Sequence, residues 1–290
     1  MRAVSLHRDV IVVTSQLFQA HCTIVRAPGG EEAFAIDSPV LPEELELLAS
    51  LVQQAGFPEP QGLLATHADW DHVLAPLAFR EAALGCAESS VERLRAEPGA
   101  AQRALRRFDE ELHVERRAPL SLGSVQALAV PGRCSIGDAE LELHPTAGHT
   151  ADGMAICIPW ARVLVAGDYL SPIELPVLGE AKAYGVGEAD GEAKADGVGE
   201  ANGEAKANFV GDTLGAYVAT LERLRPLVEV AEQIVPGHGP VLDGAAALRV
   251  LDEDVAYLQE LRERGAEAAL PPQRRSQVQR ELHAQNIARV

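Results

Sequence analysis

The stretch Thr66-His67-Ala68-Asp69-Trp70-Asp71-His72 follows directly on a short apolar run, Gly62–Ala65, and sets four metal-ligand side chains within six residues. Packing gives no reason for that density, whereas a loop that holds cations does. In extended backbone, residues two apart face the same way, so His67 and Asp69 point together. Asp71 and His72 diverge from them toward a second point, where the chain turns into its next helix. This spacing suits two adjacent divalent cations sharing one loop; the plainer reading is a solvated polar turn.

Three further segments end an apolar run in a ligand-type residue. They are His149 in Thr146-Ala147-Gly148-His149-Thr150, Asp168 after Val163-Leu164-Val165-Ala166-Gly167, and His238 in Ile234-Val235-Pro236-Gly237-His238-Gly239-Pro240. Each is ordinary by itself: a histidine after a strand is commonly a surface group, and Asp after Gly commonly forms a turn or caps a helix. The weight lies in having four such ends in one chain. Trp70, between the ligand carboxylates, either floors a pocket or wedges into the core. His7, His21, His113 and His144 read as structural.

Around these segments the pattern alternates. Val10–Thr14, Cys22–Arg26 and Ala33–Ile36 read as strands, the last two separated by the turn Ala27-Pro28-Gly29-Gly30. Pro42 opens a helix that Gly56 stops, with Leu45, Leu47, Leu48, Leu51 and Val52 as an apolar stripe at helical spacing. Ser89–Glu111 reads as helical and charged. Ser124–Val130, Ala139–Leu143, Ala155–Ile158, Val163–Ala166 and Gln233–Val235 read as strands, and 213–226, 244–264 and 273–285 as helices. Two similar halves, each a sheet with covering helices, fit this order. The whole of 1–290 forms one domain with a helical segment at 244–290. Within it, Gly-Glu-Ala-Lys-Ala recurs at 179, 191 and 203, so 179–207 is a low-complexity insertion of 12-residue period. Lacking a continuous apolar face, it reads as a flexible loop, a spacer or an acidic flap over the site.

Composition narrows the function. The 290 residues are 47% hydrophobic and 23% charged, ordinary for a globular protein. A formal net charge of −18 argues against nucleic-acid or anionic-membrane partners, which need clustered cations. No apolar stretch approaches the roughly 18 residues that span a bilayer, and Met1 to Thr14 lacks a signal-peptide core. The four cysteines (Cys22, Cys86, Cys134, Cys157) form no CxxC pair and read as free thiols, which with the rest suggests a cytoplasmic protein. A Gly-x-Ser-x-Gly elbow, a P-loop and a Gly-x-Gly-x-x-Gly turn are all missing, which removes the usual competitors to metal chemistry.

In this order the four segments resemble the metallo-β-lactamase superfamily, whose signature is His-x-His-x-Asp-His followed by a distant His, an Asp and a last His. Ala35-Ile36-Asp37-Ser38 is similar to the strand-to-turn Asp that the family sets beneath its metal loop. The tail His283-Ala284-Gln285-Asn286-Ile287 resembles glyoxalase-II-like members. The resemblance implies an α+β fold, a four-layer αββα sandwich with metals at one edge of its two sheets. It implies two divalent metal ions, zinc foremost: one held by His67, the residue at 69 and His149, the other by Asp71, His72 and His238, with Asp168 bridging. It further implies a metallo-hydrolase that uses a metal-activated water on a small-molecule ester or thioester, with Asp71 as ligand and hydrogen-bond acceptor for that water. Lactone and phosphodiester substrates are alternatives. The partner is a small molecule; the C-terminal helices either cover the second sheet or support a homodimer.

One position departs from the pattern. The family's second histidine is Asp69 here, a hard anionic ligand that tilts the first site toward iron or manganese and supports an alternative, an iron-dependent persulfide-dioxygenase-like oxidoreductase. Its charge also makes the site less positive, which acidifies a bound water less. Tyr169, next to Asp168, either donates to a developing oxyanion or is a packed aromatic.

Overall fold

A computed structural model of the chain describes residues 1–179 and 212–290; apart from its first residue, the repeat-bearing segment 179–207 lies outside the described residues. Among the described residues, a first sheet runs in chain order through β1 (Arg2–His7), β2 (Val10–Thr14), β3 (His21–Arg26), β4 (Ala33–Asp37), β5 (Gly62–Leu64), β6 (Ala83–Ala87) and β7 (Gln126–Leu128). Pairing is antiparallel from β1 to β4 and parallel from β4 to β7. Parallel neighbours need crossovers, and two of these carry α1 (Pro42–Gln54) and the pair α2 (Glu88–Ala96) and α3 (Ala100–Glu111). A second sheet is ordered β13 (Leu242–Asp243), β12 (Gln233–Pro236), β11 (Val163–Gly167), β10 (Met154–Ile158), β9 (Ala139–Pro145) and β8 (Gly132–Ile136). The helices α4 (Thr213–Val230), α5 (Gly244–Arg264) and α6 (Gln277–Ile287) complete it.

Strand alternation explains why the layers stack. In β2, Val10 and Val12 face the second sheet and meet Leu141, Ile156 and Val165, while Ile11 and Val13 face outward onto Leu45, Leu48 and Leu105 of α1 and α3. In β11, Val163 and Val165 point into that inter-sheet core; Leu164 and Ala166 pack against Leu221, Leu224 and Leu258 of α4 and α5. Each sheet is thus buried on both faces, which is why its central strands read as continuous apolar runs. Every such aliphatic side chain stabilises the stack by about 1.5–3 kcal/mol. The result is the expected α+β arrangement, helices, sheet, sheet, helices. Among the described residues no helix is long and apolar enough to cross a membrane.

Some boundaries differ from the sequence expectation. The helical stretch Ser89–Glu111 falls into two helices, broken at Glu97-Pro98-Gly99, where Gly99 takes φ +76° and Pro98 cannot continue the α2 ladder. The strand expected over Ser124–Val130 is only Gln126–Leu128. Strands β1, β6 and β8 were not anticipated, and α4 runs on through Pro226 to Val230.

Because β9, β11 and β12 run in one direction, their C-terminal ends share an edge of the second sheet. The C-terminal ends of β4 and β5 lie there in the first sheet. Backbone bonds stitch the two edges together: Met154 N–H donates to the Thr66 carbonyl (2.7 Å), and His21 N–H to that of Gly237 (3.0 Å).

Candidate metal centre

This edge gathers all seven of the residues singled out in the sequence. His67, Asp69 and His149 form one group whose ligand atoms lie within 4.8 Å of one another, Asp71, His72 and His238 form a second, and His67, His72 and Asp168 link them. Asp168 stands between the groups. Its Oδ1 is 3.1 Å from His72 Nε2 and 3.4 Å from His238 Nε2, and its Oδ2 is 3.2 Å from His149 Nε2 and 3.9 Å from His67 Nε2. Asp69 Oδ2 lies 3.6 and 3.7 Å from His67 and His149 Nε2, and Asp71 Oδ2 lies 3.4 Å from His238 Nε2.

The ring orientations are set from behind. Each of the four imidazoles has an oxygen partner at Nδ1: Asp37 Oδ2 for His72 (3.1 Å), Thr66 Oγ1 for His67 (3.2 Å), the Val177 carbonyl for His149 (3.3 Å) and the Phe18 carbonyl for His238 (3.3 Å). Such outer partners fix which nitrogen faces the centre. Asp37 does more, accepting the Thr66 backbone N–H (2.8 Å) and hydroxyl (2.9 Å) from a left-handed backbone at φ +57°. Gly237 leaves room for the bridge: a Cβ there would run into Asp168 Oδ1.

The donor set fits a cation. Nε2 of His67, His72 and His149 and Oδ1 of Asp168 are buried with no hydrogen-bond partner among the described residues. Buried polar atoms left so cost about 1–3 kcal/mol each. Imidazole nitrogens and carboxylate oxygens, converging at these separations, are what divalent metals need.

Without metal the carboxylates recruit protons instead. Burial favours the neutral ring of His149, yet Asp168 and Asp69 outweigh it and push His149 up to about 10. His72 and His238 are raised well above the usual imidazole range in the same way, against burial, by Asp168 with Asp37 and Glu174 respectively. A folded-state value above the unfolded one near 6.5 gives stability that is fully present below that value and lost as pH rises toward 10. The metal-free protein will therefore lose thermal stability as pH rises from about 6.5 toward 10. Metal-loaded protein will not show this slope, and melting curves with and without chelator will separate the two.

Two residues that sequence reasoning missed hold the departure from the family pattern. Arg93 of α2 places Nη2 2.7 Å from Asp69 Oδ1 and Nη1 2.9 Å from Asp152 Oδ1. Buried Asp152 also accepts Ala68 N–H (3.0 Å) and the Ser90 hydroxyl (2.6 Å), so it clamps the ligand loop to α2. Burial would raise Asp69, but His149, His67 and Arg93 hold it well below the usual carboxylate range. One Asp69 oxygen thus meets a guanidinium while the other faces the histidines. The loss of positive charge expected from Asp69 is offset by Arg93. The sequence signal for Arg93 was only that of a charged helix, and for Asp152 that of a turn.

Tyr169 corrects an expectation. It is buried, packed in a tilted pair with Tyr217 at 4.6 Å between ring centroids, and its hydroxyl accepts the His149 backbone N–H (3.1 Å). It does not line the cavity, so it positions His149 and is not placed to meet an oxyanion. Trp70 both lines the cavity and packs on Phe108 at 4.6 Å. The cavity, of about 320 Å³, is floored by Asp69, Asp71, His149, Asp168 and His238.

By fold, the chain is similar to a metallo-beta-lactamase from Pontibacter korlensis at 19% identity and TM-score 0.53, over 89% of this chain and 98% of that one. It is similar to VMB-1 at 16% identity and TM-score 0.53, over 88% and 96%, and to the DIM-1 metallo-beta-lactamase at 17% identity and TM-score 0.52, over 87% and 95%. At such identities these likenesses speak for the fold alone. No curated protein shows significant similarity to the sequence. The family model of the metallo-beta-lactamase superfamily matches residues 16–238, a span that takes in every ligand-type residue of the centre, and the chain belongs to that superfamily, whose members are mostly metal-dependent hydrolases.

Proposed function

We propose that this protein is a binuclear metallo-hydrolase of the glyoxalase-II-like kind that cleaves an ester or thioester of a small molecule. The observation that carries the reading is the set of four imidazoles anchored at Nδ1 with Nε2 turned toward a two-sided Asp168 at the floor of a cavity. His67, Asp69 and His149 would hold one ion, Asp71, His72 and His238 the other, and Asp168 both. Bound there, the ions would supply Lewis acidity and acidify a water toward neutral pH. Asp71 lines the cavity and would accept a hydrogen bond from a water held there. The apolar wall of Trp70, Leu94 and Val177 keeps bulk water from the acyl group. The four cysteines are free, as suits a cytoplasmic enzyme. The test is turnover of thioesters, lactones and phosphodiesters by metal-loaded protein, abolished by chelator and restored by zinc. Loaded protein inert on every class would end the reading.

A second reading has one observation in its favour. His67, His149 and Asp69 form a two-histidine, one-carboxylate set, the combination of non-haem iron oxygenases. Oxygen consumption with a thiol persulfide by the iron-loaded protein would establish it over hydrolysis. In either case Asp69 tunes the metal: Asp69→His will shift selectivity from iron toward zinc by at least about tenfold, measured by elemental analysis after competition. Unchanged metal content would show that Asp69 is no ligand.

A further inference from the structure

The cavity above the centre has a wall of its own kind. Helix α3 turns Ala101, Leu105 and Phe108 toward the core beneath and presents Ala100, Arg103, Ala104 and Arg107 to the cavity. These four recur at helical spacing, so two guanidiniums stand one turn apart over a strip of methyl groups. Arg103 donates to the Pro98 carbonyl (2.8 Å) at the start of the helix, and no carboxylate among the described residues pairs with it. Arg107 has no ion-pair partner among the described residues. The third arginine of the lining, Arg93, is already neutralised between Asp69 and Asp152. Among the described residues Glu97 is the one carboxylate of the lining outside the floor, so this part of the wall carries a net charge of about +1. In a chain of net charge −18, that is a local reversal of sign beside the reacting centre.

We infer that Arg103 and Arg107 form a carboxylate-binding subsite, so that the molecule acted on is an anionic small molecule: a hydrolysable acyl group joined by a short apolar spacer to a carboxylate. The inference rests on the hydrolase reading for the first half of that description and on the α3 wall for the second. A guanidinium fork matches a carboxylate in shape as well as charge. The methyl groups of Ala100 and Ala104 suit the spacer, and the net single positive charge suits a monoanion better than a phosphate dianion. At about 320 Å³ the cavity sits at the small end of ligand pockets, roughly 300–1,000 Å³, which favours a compact substrate.

The test uses metal-loaded, full-length protein and a matched pair of esters, the mono-p-nitrophenyl ester of glutaric acid and p-nitrophenyl pentanoate. The native protein will prefer the charged ester by about tenfold in kcat/KM, the effect of one charged hydrogen bond, and the preference will shrink as salt is raised. Arg103→Gln with Arg107→Gln will abolish the preference through KM of the charged ester, and Arg103→Lys with Arg107→Lys will restore part of it. A merely structural role for these exposed residues would move neither the salt dependence nor the charged-to-neutral ratio. A preference for the neutral ester, or one that survives the double glutamine variant, overturns the inference. If neither ester is cleaved, the hydrolase reading fails on this pair and the subsite is judged by calorimetry with glutarate. Binding at least about fivefold tighter to native protein than to the glutamine variant supports it, and equal affinity overturns it.

Discussion

Asp168→Ala will take bound metal from the proposed two ions per chain to one or none and lower turnover by more than the roughly 10–100-fold typical of losing an outer partner. The expectation follows from the placement of the two carboxylate oxygens. Oδ1 faces His72 and His238, and Oδ2 faces His149 and His67, so one side chain answers for both groups. Asp69 and Asp71 each face one group only, and their loss will cost one ion. The metal-free variant gives a second readout. Asp168 leads the carboxylates that raise His72, His149 and His238 against burial, so its removal drops all three toward neutrality. The alkaline loss of stability forecast for metal-free protein will then flatten. Asp168→Asn keeps the shape and removes the charge, and will flatten the slope as Ala does. Wild-type metal content with wild-type turnover in Asp168→Ala would remove the bridging role.

What the sequence made legible follows from how each feature is built. Strands β2, β3, β10 and β11 are buried on both faces, so apolar runs announced them. β6 is Ala-Leu-Gly-Cys-Ala, small residues with no β-branched or aromatic member, and nothing local marks it as a strand. β8 lies at the sheet edge with Arg133 and Ser135 outward, and its turn residues at both ends masked it. The ligand-type residues were legible because their four segments each follow an apolar run, and strand ends converge by topology. Arg93 and Asp152 were not, because their meaning is a tertiary pairing: Asp152 reaches Ala68 across 84 residues of chain. Tyr169 shows the same limit. Adjacency to Asp168 in sequence says nothing of where its hydroxyl turns, and burial against Tyr217 turned it onto the His149 backbone.

Arg274→Met will destabilise the fold by about 3–5 kcal/mol at pH 8, since it strands a buried carboxylate. Arg274 is 2% exposed and sets Nη1 2.5 Å from Asp254 Oδ1, itself 1% exposed. Burial pushes Asp254 up to about 7 even with that partner, so without Arg274 it will take a proton still more readily. A folded-state proton that the unfolded chain does not hold stabilises the variant below that value and is lost as pH rises. The penalty will accordingly shrink at pH 6 and grow toward pH 8, and Arg274→Met with Asp254→Leu will recover most of it. Arg274 also holds the carbonyls of Glu174 (2.8 Å) and Ser171 (3.4 Å). Gln279 bonds Leu175 N–H and the Ile173 carbonyl, and Asn286 bonds Leu178 N–H (3.1 Å) and the Pro176 carbonyl (2.6 Å). The C-terminal segment thereby carries the stretch 171–178, whose Val177 carbonyl orients His149. Restoring stability with the double substitution does not restore those carbonyl contacts. Metal affinity in the double variant will stay about tenfold below the native value, as for loss of an outer partner, while its melting temperature returns. Recovery of both together would mean that the C-terminal segment secures the fold and leaves the centre untouched.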